Sequence, residues 1–108
     1  MCKYINKRIG RLRGWFRALG DPSRVKIFCR LCGCEEAQPV SEVYRARGMD
    51  VDLSVVSRHL AQMRDCGLVS AERRGRTVLY RANARAMAKE LRELAEVLEE
   101  CPCCDCEC

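Results

Sequence analysis

Residues 100–108 read ECPCCDCEC, and five of those nine positions are cysteine, half of the ten in the chain. Thiolates are soft ligands, so a cluster of them points to thiophilic ions rather than to magnesium, calcium or manganese. Arsenite wants three sulfurs in a trigonal pyramid with its lone pair outward; mercury accepts two or three, and cadmium and lead prefer three or four. Cys101, Cys103 and Cys104 lie on both sides of Pro102, which cannot continue a helix and so lets the chain turn until three sulfurs face one centre. Cys106 and Cys108 read as relaying or competing ligands. The same stretch has other readings: a nonspecific scavenging tail, a redox switch in which vicinal Cys103 and Cys104 oxidise, or the ligand set of a metal-storage or Fe–S protein.

The other thiols carry less chemistry by themselves. Cys29 and Cys32 fall on an apolar face of a helix, where free cysteine acts as a small hydrophobe, and Cys34 follows just after them. Cys66 reads as packing, and Cys2 either closes on a site in another subunit or frays. Cys2, Cys32 and Cys34 remain open as additional ligands. His59 is the single histidine, with no second imidazole or carboxylate pair to make it a metal ligand. No Ser/His/Asp arrangement, paired-acid pocket or nucleotide loop is present, and a cysteine nucleophile would need a base that His59 is badly placed to supply. The expectation is a protein that is not an enzyme and has no obligatory cofactor.

The 108 residues suit one domain with one core. No apolar run approaches the roughly 20 residues of a membrane span, and MCKYINKRIGRLRGW lacks the apolar centre of a signal peptide. A cytoplasmic protein without a membrane partner is expected, in a reducing compartment that disfavours a disulfide framework. The net charge is +5, unevenly spread: residues 1–34 carry nine Lys or Arg against one acid, residues 90–108 seven acids against one Arg. A basic body suits a polyanion such as DNA; the acidic end suits a cationic partner or the basic N-terminal helix of a neighbouring chain. Solvated helix faces are the plainer account of the same charges.

These residues need elements to position them. Ile5, Ile9, Leu12, Phe16 and Leu19 recur at helical spacing and predict an N-terminal helix that needs a partner surface. Gly20 stops it, and Asp21-Pro22 cap and open a second helix, apolar nearly all round and so expected to be buried. A short helix over VSEVYRAR closes at Gly48. Asp52 caps DLSVVSRHLAQMRDCG, whose inward stripe is Val56, Leu60 and Met63, with Ser54, Ser57, Arg58 and Gln62 outward and Gly67 as the stop. Two short helices joined by a glycine-containing turn match a helix-turn-helix, whose second helix enters the major groove of DNA. LVSAERRGRTVLYRA predicts a hairpin with Arg73, Arg74 and Arg76 at its tip, a wing able to reach phosphates or a narrow minor groove. A last helix carries Met87, Leu91, Leu94 and Leu98 to Pro102. The surplus apolar stripes of the first and last helices, with opposite charges, suggest a dimer seam. The domain is expected to span 1–100, followed by a cysteine-rich, inducer-binding tail over 101–108.

In this order, ALGDPSRVKIF, VSRHLAQMRDCGLV and ERRGRTVLYRA resemble the ArsR/SmtB family of winged helix-turn-helix repressors, and with the flanking helices the resemblance covers nearly the whole chain. It implies a mainly α fold in the order α-α-α-α-β-β-α with a β-hairpin wing, a homodimer through its first and last helices, and release from operator double-stranded DNA when an inducer binds. Transferred by position, it places DNA contacts at Ser54, Val55, Ser57, Arg58 and His59, with Arg74 and Arg76 in the wing. Ser54 as an early-turn hydrogen bonder and Val55 as packing are the alternative there. Leu53 replaces a residue that is polar, often glutamine, in many relatives. The family's zinc and nickel sites use histidine and carboxylate on the last helix, which has no histidine here. Its C-V-C-D-L cysteine box corresponds to Pro39-Val40-Ser41-Glu42-Val43, without cysteine, and Cys66 replaces alanine. Some arsenite-responsive members place three cysteines at and just after the last helix, where Cys101, Cys103 and Cys104 stand. The resemblance therefore implies As(III) as inducer, with Hg(II), Cd(II) or Pb(II) as alternatives.

Overall fold

The computed structural model describes residues 3–45 and 52–100. Its elements run α1 (Lys3–Ala18), α2 (Pro22–Cys32), β1 (Gln38–Pro39), α3 (Val40–Tyr44), α4 (Leu53–Asp65), β2 (Val69–Arg74), β3 (Thr77–Ala82) and α5 (Ala84–Glu100). Cys2, the turn around Gly48, and the tail with Cys101, Cys103, Cys104, Cys106 and Cys108 lie outside the described residues. The hairpin and the longer helices fall where periodicity and turn chemistry place them, while α3 ends at Tyr44 with Arg45 as its C-cap, short of the 40–47 span expected. The addition is β1: its two residues pair antiparallel with β3, Gln38 opposite Tyr80 and Pro39 opposite Leu79, in a sheet ordered β1-β3-β2. An edge strand can hold Pro39, whose missing N–H is not needed by a further neighbour.

Local chemistry fixes the helix ends. At α2 the Asp21 carboxylate accepts from the backbone N–H of Ser23 at 2.8 Å and of Arg24 at 3.4 Å, with Pro22 in the first turn. Asp52 precedes α4 in extended conformation, but its side chain caps nothing and only its carbonyl accepts, from Val55 and Val56. The end of α4 is a Schellman motif: Leu68 N–H donates to Met63 O at 2.9 Å and Gly67 N–H to Arg64 O at 3.0 Å, with Gly67 at φ +84°. In the hairpin Arg74 pairs with Thr77, leaving Gly75 and Arg76 as the loop, and Gly75 takes φ +63°. A two-residue turn that needs positive φ only at its first central residue is the II′ pattern, in which glycine occupies that place.

The core gathers on α4. Val56, Leu60 and Met63 are fully buried, as their spacing predicts, against Ile27 and Leu31 of α2, Val43 of α3, and Leu68, Val69 and Tyr80. Burying each large apolar side chain there is worth about 1.5–3 kcal/mol. The expectation for α2 is corrected: only Ile27 and Leu31 are buried, Phe28 is half-buried, and Val25, Cys29 and Cys32 are exposed. The reason is geometric, because α2 packs on α4, α3 and β3 along the side that carries Ile27 and Leu31.

Candidate nucleic-acid interface

The recognition surface follows from the burial of α4. With Val56, Leu60 and Met63 turned into the core, Ser54, Ser57 and Arg58 are left exposed, and Val55 and His59 are half-buried at the border. Ser54 and Arg58 are four residues apart and share one strip of surface. Arg58 enters no ion pair among the described residues, so its five guanidinium donors remain available for a base edge or a phosphate. In the wing, Arg73, Arg74 and Arg76 are all exposed, but they are not equivalent. Arg74 Nε is held by Glu72 Oε1 at 2.6 Å and Arg73 Nε by Gly75 O at 3.3 Å, whereas Arg76 enters no ion pair among the described residues.

Arg24 fixes the recognition helix from α2, and sequence pattern alone does not single it out. Its Nε donates to Ala18 O at 2.6 Å and its Nη1 to Gln62 Oε1 at 2.9 Å, while Asp21 Oδ2 lies at 3.9 Å. The same Nη1 is 3.3 Å from His59 Nδ1. For that contact to be a hydrogen bond, Nδ1 has to be the unprotonated nitrogen, with the proton on Nε2. One guanidinium thus joins the end of α1, the cap of α2 and two successive turns of α4. The Asp21 carboxyl beside it is held below the usual carboxylate range, first by the Ser23 N–H and then by Arg24, against an opposing effect of burial. The only available signal was Arg24 standing in the first turn after the cap.

A second junction holds the far end of α4. Trp15 Nε1 on α1 donates to Cys66 O at 2.7 Å. Asn83, just before α5, donates through Nδ2 to Gly67 O at 2.8 Å and through its backbone N–H to Leu68 O at 2.9 Å, and its Oδ1 accepts from Ser70 Oγ at 2.7 Å. These carbonyls follow the last turn of α4 and have no helical partner, so α1 and α5 both grip the recognition helix at its C-terminal end. Trp15 lies outside the apolar stripe of α1; an indole N–H in search of a buried acceptor was the signal that could have found it.

The α1/α5 pair behaves differently from that framework. Leu12 and Leu94 are buried, but Ile9 (37% exposed), Phe16 (42%), Leu91 (37%) and Leu98 (49%) are not. Arg8 pairs with both Glu93 and Glu90, the latter at 3.7 Å. That distance is ionic contact without a hydrogen bond, and Glu90 Oε2 has no other partner among the described residues. Part of the charge complementarity expected between neighbouring chains is therefore satisfied within one chain. Among the described residues no three His, Cys, Asp or Glu side chains gather as a metal site, and no helix is long and apolar enough to cross a membrane.

Comparison with known proteins places this geometry. The profile described as "Bacterial regulatory protein, arsR family" matches residues 21–71, from the cap of α2 into β2. The HTH-type transcriptional regulator CmtR of Mycobacterium tuberculosis is 37% identical over 99 residues, covering 90% of this chain and 76% of that protein. An ArsR-like transcriptional regulator from Rhodococcus sp. RHA1 superposes with a TM-score of 0.69 at 29% identity, over 85% of this chain and 83% of that one. The homodimeric winged helix-turn-helix DNA-binding domain of Mb0332 from Mycobacterium bovis shares the fold, with a TM-score of 0.64 at 23% identity over 93% and 89% of the two chains.

Proposed function

The chain belongs to the arsR family of bacterial regulatory proteins, as a winged helix-turn-helix DNA-binding transcriptional regulator, and from that premise we propose that it is a homodimeric repressor released from its operator by a thiophilic ion. The observation that carries the proposal is the pair of junctions at the end of α4: Trp15 and Asn83 tie the DNA-reading helix to α1 and α5, each of which leaves two large apolar side chains uncovered. Pairing Ile9, Phe16, Leu91 and Leu98 with a second copy would bury them and set two α4 helices about one DNA turn, roughly 34–36 Å, apart. The reading places Ser54, Val55, Ser57, Arg58 and His59 at the major groove and Arg74 and Arg76 at the flanking backbone, with Arg58 and Arg76 the most available cations.

The donor set favours a soft inducer. His59 is occupied by Arg24, and Glu90 and Glu93 by Arg8, so the described residues supply no histidine–carboxylate site. Cys101, Cys103 and Cys104 directly follow the last residue of α5, Glu100, and would hold As(III), or Hg(II), Cd(II) or Pb(II), as thiolates. Such an ion supplies a sulfur-bonded cross-link that thiol protons must leave to form. The protein's own part is to transmit a shift of α5 through Asn83, and of α1 through Trp15, to the base of α4. A coupling of about 1–3 kcal/mol would change operator affinity about 5- to 150-fold, and DNA would weaken ion binding by the same factor.

The test is competition of the protein from operator DNA by each ion in turn, in a non-thiol reductant. Release by arsenite or another thiophilic ion is the expected outcome. Release by oxidant alone, with no ion effective, would replace the proposal with a redox switch.

A further inference from the structure

Four cysteines lie among the described residues, and their sulfurs are not alike. Cys34 Sγ turns back to Arg30 O at 3.2 Å and Cys66 Sγ to Met63 O at 3.4 Å, each onto its own chain segment. Cys29 and Cys32 are both exposed on α2. They are three residues apart on a helix, so their Cβ atoms are about 5–6 Å apart on one face. The Cys32 thiol is pushed up by partial burial and then by the neighbouring Cys29 sulfur, the electrostatic sign of that closeness. Of the two only Cys32 borders the cleft of about 610 Å³ that runs past Cys34, Glu35, Arg81, Asn83 and Arg85, and the exposure of both cysteines leaves room on the solvent side for a substituent carried by whatever the sulfurs hold.

We infer that Cys29 and Cys32 form a second thiophile site, separate from the tail, that takes trivalent arsenic bearing one organic substituent. Two sulfurs match the two coordination positions such an arsenical leaves open, and no third donor gathers with them. In the reaction R–As=O meets two thiols, two As–S bonds form, and the oxygen departs as water with both thiol protons. Arsenic stays trivalent, so neither oxidant nor reductant is consumed.

Occupation of this site is silent toward DNA. Both sulfurs belong to the same helix, so a bridge between them ties α2 to no other element. Arg24 holds α4 from the opposite end of α2, more than one turn away. The site therefore stores arsenical without operating the recognition helix.

The test uses the full chain with Cys101, Cys103, Cys104, Cys106 and Cys108 all replaced by serine, treated with phenylarsine oxide in a non-thiol reductant. Native mass spectrometry is expected to show one phenylarsenic group per chain, lost when Cys29→Ser or Cys32→Ser is added and kept with Cys34→Ser. Operator binding by the adduct is expected to equal that of the untreated variant. Circular dichroism melts of Cys29→Ser and Cys32→Ser should match the parent, since both side chains are exposed. No adduct on the tail variant, an adduct that survives loss of Cys29 or Cys32, or one lost with Cys34, overturns the assignment. DNA release by the adduct overturns its silence. All of these results are independent of whether the tail senses an ion.

Discussion

The part of the molecule built on α2, α3, α4 and the sheet closes around the core and exposes one large apolar side chain on each helix, Val25, Tyr44 and Leu53, whereas α1 and α5 bury Leu12, Ala18 and Leu94 and leave two such side chains exposed on each. The first is a reading head whose shape is set within one chain. The second is an unfinished surface that Trp15 and Asn83 fasten to the end of the recognition helix, with Arg24 joining the Ala18 carbonyl to Gln62. Under the proposed function this division separates the part that reads DNA from the part an inducer would move.

Each part should fail in a different way when damaged. Leu60→Ala in the closed half should lower stability by about 2–5 kcal/mol in urea unfolding. Leu91→Glu in the open half should leave the fold intact by circular dichroism yet give a monomer in sedimentation; an unfolded Leu91→Glu chain would show that α5 is part of the core after all. Arg58→Ala should weaken operator binding by about 1–3 kcal/mol and relax sequence preference. If Arg58 touches only phosphate, the loss will be uniform across sequences and the salt slope will fall by about one.

Trp15→Phe tests the fastening itself. It keeps the ring and removes the donor to Cys66 O, so it should cost about 1 kcal/mol of stability and reduce the coupling between inducer and operator by about 0.5–2 kcal/mol, read as a smaller change in operator Kd on adding ion. The smallest effect concerns Asp21. Its folded-state carboxyl lies below the ordinary value of 3.8, so its contribution is complete above that value and is lost as pH falls through the lowered one. Asp21→Asn keeps a capping oxygen and removes the charge, so its melting temperature should lose this acid-side dependence while staying close to wild type at neutral pH.

Much of the closed half was legible in the sequence because its signals are local. The stripe Val56, Leu60 and Met63, the cap at Asp21 and the glycines at 67 and 75 each act through spacing or backbone conformation. The failures came from nonlocal packing. The composition of α2 suggests burial all round, but the core takes only its Ile27 and Leu31 side, so Cys29 and Cys32 emerge into solvent. The bond from Trp15 to Cys66 spans 51 positions and that from Arg24 to Gln62 spans 38, and neither follows any periodicity. The pairing of β1 with β3 likewise needed the third dimension. Of the candidate site, the outward face of α4 could be read by subtraction from its core stripe, while the unequal freedom of Arg74 and Arg76 depends on where Glu72 points.

In the proposed function, ion capture by the tail, rather than oxidation or any thiol in the domain, releases DNA. It is tested most directly by the anisotropy of labelled operator titrated with arsenite in a non-thiol reductant, for wild type beside Cys103→Ser and Cys104→Ser. Release from wild type with both variants remaining bound is the predicted result; if both variants let go at the wild-type concentration, the inducer site lies elsewhere and the account is wrong.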